Sequence, residues 1–182
     1  MAFIRKSIAN IWDIAKVVLV SAAIIIPIRT FIFQPFFVRG ASMEPSFYNG
    51  DYLLIDELSY RLHEPQRGDV VVFRPPLNPD QFYIKRIIGL PGEKAVFDNG
   101  KVSVFSEGKE MVLNEPYISK DLVSGSKEII AGPGEYVVFG DNRGHSSDSR
   151  VFGPVPRQNV VGRVLITAWP LKDFSVFAAP AY

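Results

Sequence analysis

A lone serine, Ser42, lies in the stretch VRGASMEPSF that covers residues 38–47. A serine hydroxyl attacks a carbonyl group at a useful rate only when another group accepts its proton. No obvious base lies next to Ser42 in the sequence. The residue is therefore either an ordinary loop serine or a nucleophile whose base comes from a distant part of the chain.

Three side chains are candidate bases for Ser42. The only two histidines, His63 and His145, lie in the polar stretches RLHEPQRGD and GDNRGHSSDSR, which are typical of solvated surface histidines. Lys85 lies in FYIKRIIG, with strong apolar neighbours on both sides. Burial disfavours the ammonium form and lowers a lysine pKa, and a neutral lysine can act as a general base. A shift from ~10.4 to ~7 requires about 4 kcal/mol, within the range of buried lysines. An exposed strand lysine is the ordinary alternative.

Composition excludes several classes of function. The chain has 20 basic and 19 acidic residues and a net charge of +1, which does not favour a nucleic-acid partner. It contains no cysteine, so disulfides and thiolate metal sites are excluded. We expect no cofactor and no metal. The hydrophobic content of 47% is enough for a packed core.

An uncharged apolar run, VVLVSAAIIIPI, covers residues 17–28 near the N-terminus. It predicts a single membrane-spanning helix, roughly Ile11–Ile32, if flanking residues extend it to the ~20 residues that a bilayer requires. Asp13 and Lys16 are three residues apart, so on a helix they can form an ion pair. Basic residues ahead of the run favour a cytoplasmic N-terminal tail and an external position for the rest of the chain.

Three alternatives for this run stay open. The basic start at Arg5 and Lys6 suits a cleaved signal peptide, but PIRTFIFQPF is a poor small-residue cleavage site. A core helix of a soluble protein would need burial on all sides, and an interfacial helix needs a strongly polar face. On the spanning interpretation, residues 1–35 form the cytoplasmic tail and transmembrane anchor, and residues 36–182 form a β-rich catalytic domain.

The rest of the chain predicts an all-β, mostly antiparallel fold. Fourteen prolines and fourteen glycines supply many turns. KAVFDNGKVSVF, residues 94–105, predicts a hairpin because Asn99-Gly100 can adopt the positive φ angles of a type I′ turn. The polar segment Ser119–Glu128 predicts a loop. Further predicted strands are DYLLIDEL (from Asp51), GDVVVF (Gly68–Phe73), QFYIKRIIGL (Gln81–Leu90), EYVVFGDN (Glu135–Asn142) and VVGRVLITAW (Val160–Trp169).

Three motifs carry a resemblance to a known family. GASMEPSF, YIKRIIGLPGE and FGDNRGHSSDSR, in that order behind an N-terminal anchor, resemble the type I signal peptidases of bacteria. These are membrane-anchored serine endopeptidases that use a Ser-Lys dyad to cut signal peptides from exported preproteins. The resemblance covers nearly the whole chain. It implies a mostly antiparallel β catalytic domain with an exposed apolar surface near the membrane.

The resemblance assigns roles to individual residues. Ser42 matches the nucleophile, Lys85 the general base, and Ser146 a hydroxyl that orients the lysine amine. Arg86 is expected to pair with Asp141. A structural loop that holds the dyad matches Asp141, Asn142, Arg143, Asp148 and Arg150. The pocket for the substrate residue before the cut matches Met43, Phe47, Tyr83 and Ile84.

One position departs from the family pattern. Some members carry a serine two residues before the nucleophile, where its hydroxyl helps to bind the oxyanion, and this chain has Gly40 there. Losing one such donor typically costs on the order of 3 kcal/mol. A backbone N–H or a water is expected to replace it. Glycine also permits close approach of the substrate backbone.

The resemblance implies signal-peptide-bearing preproteins as substrates, cut after small residues in the pattern A-x-A. It implies the lipid bilayer as a partner, with the protein-export translocon as a further candidate, and no nucleic acid. The expected location is the bacterial inner membrane, single-pass, with the catalytic domain on the periplasmic side. Two other functions stay open: an inactive membrane-anchored domain that binds extended peptides by strand addition, and a self-cleaving Ser-Lys peptidase.

Overall fold

The computed structural model describes residues 12–23, 33–118, 123–180 and 182. Residues 12–23 form the helix α1, on which Lys16 and Asp13 form the predicted ion pair at 2.8 Å. The predicted membrane span, Ile11–Ile32, lies partly outside the described residues. None of the helices that the structure describes is both long and apolar enough to cross a membrane.

The rest of the described chain is built from short strands and two single-turn helices, α2 (Ser59–Leu62) and α3 (Ser149–Phe152). The pairings between the described strands are all antiparallel, so the predicted mostly antiparallel β fold is confirmed. The strands are β1 (Phe33–Phe37), β2 (Tyr52–Asp56), β3 (Val70–Phe73), β4 (Tyr83–Gly89), β5 (Lys94–Asp98), β6 (Lys101–Ser106), β7 (Lys109–Val112), β8 (Ser126–Ile130), β9 (Glu135–Phe139), β10 (Val155–Pro156), β11 (Val160–Trp169) and β12 (Ser175–Val176).

The strands form two sheets. The larger sheet runs β1-β2-β11-β3-β4-β9-β10, with β12 paired to β11, and the smaller sheet runs β7-β6-β5-β8. The five strand-like runs of the sequence form β2, β3, β4, β9 and β11, as predicted. β8 begins at Ser126, inside the segment predicted to be a loop. β1 begins at Phe33, ahead of the boundary predicted after residue 35.

The predicted hairpin is confirmed as β5 and β6. Asp98 pairs with Lys101, and Asn99 and Gly100 between them have φ angles of 46° and 87°. Both angles are positive, as a type I′ turn requires. The larger sheet is covered on both faces, which explains why the VVVF run of β3 is buried throughout. Val70 and Val72 face one core cluster, and Val71 and Phe73 face another.

Three segments of this fold meet at one place. The turn between β1 and β2 carries Ser42, and strand β4 carries Lys85. The loop after β9, which we call the supporting loop, covers residues 140–149. Because β9 is hydrogen-bonded to β4, the supporting loop leaves the sheet next to Lys85.

Candidate active site

The structure brings Ser42 and Lys85 together across 43 residues of sequence. The Lys85 Nζ atom donates a hydrogen bond to Ser42 Oγ at 2.7 Å and another to the Ile84 carbonyl oxygen at 2.7 Å. A neutral amine at that distance can accept the hydroxyl proton. His63 and His145 are both exposed, and neither forms a described hydrogen bond to Ser42.

Lys85 lies in surroundings that favour its neutral form. Its side chain is buried, with 4% of its surface exposed. Burial lowers the pKa of Lys85 from 10.5 to about 8, although the carboxylates of Asp148 and Asp141 favour the ammonium form. The folded protein then binds fewer protons than the unfolded chain between about pH 8 and 10.5, so stability rises with pH in that window.

This pKa predicts how the activity of the site depends on pH. If neutral Lys85 is the base, kcat/KM should increase about tenfold per pH unit below about 8 and level off above it. The measurement is kcat/KM for a peptide substrate between about pH 5 and 10. His145→Gln is the control and should leave the curve unchanged. An inflection near 6.5, abolished by this substitution, would identify a histidine base instead.

Hydrogen bonds from the supporting loop hold the turn that carries the nucleophile. The Asn142 N–H donates to the Ser42 carbonyl oxygen at 3.1 Å, and Asn142 Nδ2 donates to the Ala41 carbonyl oxygen at 3.1 Å. Asn142 is itself buried. These two bonds tie down the peptide carbonyls on both sides of the Ser42 N–H, so the position of the hydroxyl depends on the supporting loop.

A buried ion pair lies beside the two candidate catalytic residues. The Arg86 side chain, 1% exposed, donates from Nε and Nη2 to the Asp141 carboxylate at 2.9 and 2.5 Å. The predicted pairing of Arg86 with Asp141 is confirmed. Asp141 also accepts a hydrogen bond from Ser46 Oγ at 2.5 Å, which links the pair to the Ser42 turn. Arg86 Nη1 donates to the Gly68 carbonyl oxygen at 3.0 Å.

Two further arginines fold the supporting loop on itself. The Asp148 carboxylate accepts two hydrogen bonds from the Arg150 side chain at 2.8 Å each and one from the Gly140 N–H at 3.0 Å. Arg143 donates to the Gly140 carbonyl oxygen at 2.9 Å and pairs with Glu115 at 2.6 Å. Buried charges of this kind are tolerated because each is paired and hydrogen-bonded. These hydrogen bonds and ion pairs restrict the conformations open to the supporting loop.

Gly140 is the point where the supporting loop comes closest to the nucleophile. A Cβ atom at this position would lie 2.2 Å from Ser146 Oγ and 2.4 Å from the Ser42 carbonyl oxygen. Both distances are well inside van der Waals contact. Gly140 does not have a positive φ angle, so space alone requires glycine here.

Ser146, the hydroxyl predicted to orient the lysine amine, lies beside Gly140 in the supporting loop, and its role stays a prediction. Ser146 Oγ is buried and forms no hydrogen bond with any described residue. The Lys85 amine bonds Ser42 and the Ile84 carbonyl oxygen instead.

A groove of ≈ 690 Å³ opens at Ser42 and Lys85. Tyr83 and Ile84, both predicted pocket residues, line it together with other apolar side chains such as Phe36 and Val72. The Tyr83 ring centroid lies 5.5 Å from Lys85 Nζ. The lining of the groove is therefore largely apolar and includes the candidate nucleophile.

The structure places the other two predicted pocket residues in the core, and their part in the substrate pocket stays a prediction. Met43 and Phe47 are buried in the core, with 1% and 2% exposure, in the cluster that contains Leu53 and packs against Ile84. The turn after Ser42 winds back on itself, with the Phe47 N–H bonded to the Met43 carbonyl oxygen at 2.9 Å. Both side chains therefore point into the core and support the Ile84 wall from behind.

Gly40 has a conformation that suits glycine. Its φ angle is +89°, in the left-handed region, and its N–H donates to Asn49 Oδ1 at 2.9 Å. A serine at this position would be strained. No described residue accepts a hydrogen bond from the Ser42 N–H. Gly40 therefore offers no side-chain hydroxyl near Ser42.

Three residues of the site were missed by sequence reasoning. Ser46 bonds Asp141, Glu115 pairs with Arg143, and Tyr117 stacks on Arg86. Glu115 and Tyr117 lie in NEPY, a polar stretch with a proline that indicates only a turn. No local pattern indicated that this turn is folded against the supporting loop.

Comparisons with known proteins agree on one family. A sequence model of the family described as "Signal peptidase, peptidase S26" matches residues 11–169. "Probable signal peptidase I-2" of Synechocystis sp. is 38% identical over 89% of this chain and 75% of its own length. "Signal peptidase I" of Leptolyngbya laminosa is 34% identical over 91% and 83%. A crystal structure of a signal peptidase I from Enterococcus faecalis is 30% identical, covers 56% of this chain and 97% of its own, and has a TM-score of 0.46.

Proposed function

The chain belongs to the signal peptidase family, peptidase S26, and we propose that it removes signal peptides from exported preproteins with a Ser42–Lys85 dyad. The family is one of serine endopeptidases, and the relatives are signal peptidases I. One observation carries the assignment of the dyad. It is the 2.7 Å hydrogen bond between Ser42 Oγ and a buried lysine whose pKa is lowered to about 8.

Acylation begins with the neutral Lys85 amine. Ser42 Oγ attacks the carbonyl carbon of the residue before the cut, and its proton passes to Lys85 Nζ. The tetrahedral intermediate collapses as the C–N bond breaks, and Lys85 returns the proton to the leaving amine. The signal peptide stays on Ser42 as an ester, and the mature protein leaves with a free amino terminus.

Deacylation uses the same groups in the same order. Lys85 Nζ takes a proton from water, the hydroxide oxygen attacks the ester carbon, and Ser42 Oγ recovers the proton as it departs. The oxyanion of each intermediate needs hydrogen-bond donors. We assign the Ser42 N–H as one such donor, because no described residue accepts a hydrogen bond from it.

The backbone edge of β4 offers a docking position for an extended substrate. Along one edge, β4 is paired with β3 as far as its first residue, Tyr83. Along the other edge, β4 is paired with β9 only from Arg86 onward. Ile87 hydrogen-bonds Asp69 on the β3 side. Because successive residues of a strand direct their backbone groups to alternate sides, those of Ile84 point to the free edge. A substrate strand can add at that edge, next to the dyad.

The apolar side chains that line the groove at Ser42 are the basis for a predicted preference for small residues. In an added strand, the residues one and three positions before the cut face the enzyme, so we expect Ala, Gly or Ser at both. Replacing Ala before the cut with Leu or Phe should lower kcat/KM about tenfold or more, because an overfilled pocket costs on the order of 1–3 kcal/mol. The assay follows cleavage of a preprotein series, and substitution between the two positions is the control.

This assay also separates the proposal from its alternatives. Equal cleavage after Leu and Ala would contradict the small-residue pocket. Binding of the preprotein without any cleavage would indicate an inactive peptide-binding domain. Cleavage of the protein itself, with the preprotein left intact, would indicate a self-cleaving peptidase.

We also propose that the N-terminal apolar run anchors the enzyme in a membrane, with the β domain outside the cytoplasm. The support is the uncharged stretch of residues 17–28 and the basic residues ahead of it. Preproteins are then cut as they emerge, beside the lipid bilayer and the translocon. The catalytic site and the membrane-bound substrate meet on the same side of the membrane.

The orientation can be tested with intact spheroplasts. Protease added from outside should digest the chain after about Val38, while an epitope next to Arg5 stays protected because it lies in the cytoplasm. Detergent-treated spheroplasts are the control and should lose both regions. A β domain that resists protease until detergent is added would show that the orientation is reversed.

A further inference from the structure

A turn outside the catalytic motifs reaches the buried ion pair beside Lys85. The Tyr117 ring covers the guanidinium group of Arg86, with the Arg86 Cζ atom 3.8 Å from the ring centroid. The Tyr117 hydroxyl donates to Glu115 Oε1 at 2.8 Å and is also hydrogen-bonded to the hydroxyl of Tyr182. We call residues 115–117 the clasp. It joins the smaller sheet to the elements that carry the dyad.

The other end of the clasp holds the supporting loop. The Glu115 carboxylate binds Arg143 through both oxygens, at 3.0 and 2.6 Å, and its side chain is only 4% exposed. Arg143 in turn donates to the Gly140 carbonyl oxygen at 2.9 Å. One short turn therefore touches an arginine on the catalytic strand and an arginine in the loop that holds the Ser42 turn.

The contacts of Arg86 explain what the Tyr117 ring does. The guanidinium edge is occupied by Asp141 and by the Gly68 carbonyl oxygen. The ring covers a face of the guanidinium group, where water would otherwise compete for Asp141. An aromatic face also attracts the cation directly. Asp141 precedes Asn142, whose hydrogen bonds hold the Ser42 turn, so a hydrated ion pair would loosen the nucleophile.

We infer that Glu115 and Tyr117 are positioning residues that hold the Ser42–Lys85 pair in its reactive geometry from behind, an inference that rests on the proposed function. Neither residue lines the groove, and neither has a described hydrogen bond to Ser42 or Lys85. The clasp therefore acts through Arg86 and Arg143. It should affect the rate of the chemical step more than the binding of substrate.

The test compares Tyr117→Leu and Glu115→Gln with matched controls. Phe105→Leu removes a ring stacked on the surface cation Lys94, at 4.8 Å, and Glu128→Gln removes an exposed carboxylate. In both clasp variants we expect kcat to fall about 10- to 30-fold. This is less than the ~10²-fold loss that a full 1 Å misplacement of a catalytic group causes. KM should change less than about twofold. Tyr117→Phe keeps the aromatic ring, so its kcat should fall less than that of Tyr117→Leu. The controls should match wild type.

A pH readout separates positioning from simple loss of folded protein. The described charged and polar groups around the Lys85 amine are Ser42, the Ile84 carbonyl oxygen, Tyr83, Asp141 and Asp148. Hydration of the site, or an Asp141 carboxylate freed from Arg86, stabilises the ammonium form. The inflection of the activity curve should therefore move above its wild-type value in the clasp variants. Unfolding would instead lower activity by one factor at every pH.

Two results would overturn the inference. The first is that both clasp variants have the wild-type kcat and the wild-type inflection of the pH–activity curve. The second is that activity falls by the same factor at all pH values, in step with the loss of folded protein measured by circular dichroism. An NMR titration with 13Cε-labelled lysine follows the protonation of Lys85 directly, so it measures the same upward shift of the titration midpoint without any substrate turnover. If wild type cleaves no preprotein, the proposed function fails, and the titration still decides the clasp. An unshifted Lys85 titration in both variants would reject it.

Discussion

Ser42→Ala and Lys85→Met are each expected to lower preprotein cleavage by a factor above about 10³, because the members of a nucleophile–base pair act as a unit. Without the hydroxyl there is no acyl-enzyme, and without the amine no group accepts the proton. The double variant should be no slower than either single one. The measurement is the single-turnover rate of cleavage, with folding checked by circular dichroism.

Lys85→Arg tests specifically whether residue 85 must give up a proton. The guanidinium group keeps the positive charge but cannot give up its proton in a protein, so this variant should be as inactive as Lys85→Met. His145→Gln, on the exposed part of the supporting loop, is the matched control and should retain activity. Appreciable turnover by Lys85→Arg would reject lysine as the base and reopen the case for a histidine.

Gly140→Ala is expected to have the second largest effect, a loss of activity of at least about 10²-fold. The added Cβ would lie 2.4 Å from the Ser42 carbonyl oxygen, a backbone atom that cannot rotate away. The turn or the loop must therefore shift, and the nucleophile moves with it. Overpacking should also lower the free energy of unfolding by about 1–3 kcal/mol. Kinetics and thermal unfolding of the same preparation measure both.

Gly144→Ala is the matched control in the same loop. Among the described residues, a Cβ atom at Gly144 would meet only Val123 Cγ2, at 3.6 Å, which is ordinary van der Waals contact. Activity and stability should therefore stay close to wild type, within about 0.5 kcal/mol. If Gly140→Ala were as active as Gly144→Ala, the close approach of the loop to the nucleophile would not matter for the reaction.

Local sequence patterns were sufficient for seven of the twelve described strands, although β8 lies in a segment predicted to be a loop. Five apolar, β-branched runs predicted five strands that the structure contains, and Asn99-Gly100 predicted its hairpin. Such patterns work because strand and turn preferences depend on neighbours a few residues apart. The three motifs around Ser42, Lys85 and Asp141 were also sufficient to indicate the family, which the comparisons support independently.

The sequence by itself thus determined the mostly antiparallel β class and the family, together with the residue types available for catalysis. The residues alone left three candidate bases open beside the resemblance, and the tertiary structure shows which of them contacts Ser42, because that contact joins segments 43 residues apart through the packing of a turn against β4. Packing likewise turned Met43 and Phe47 into the core and placed Glu115 against Arg143. Neither outcome leaves a local signal, since burial of a side chain depends on what the rest of the chain brings to it.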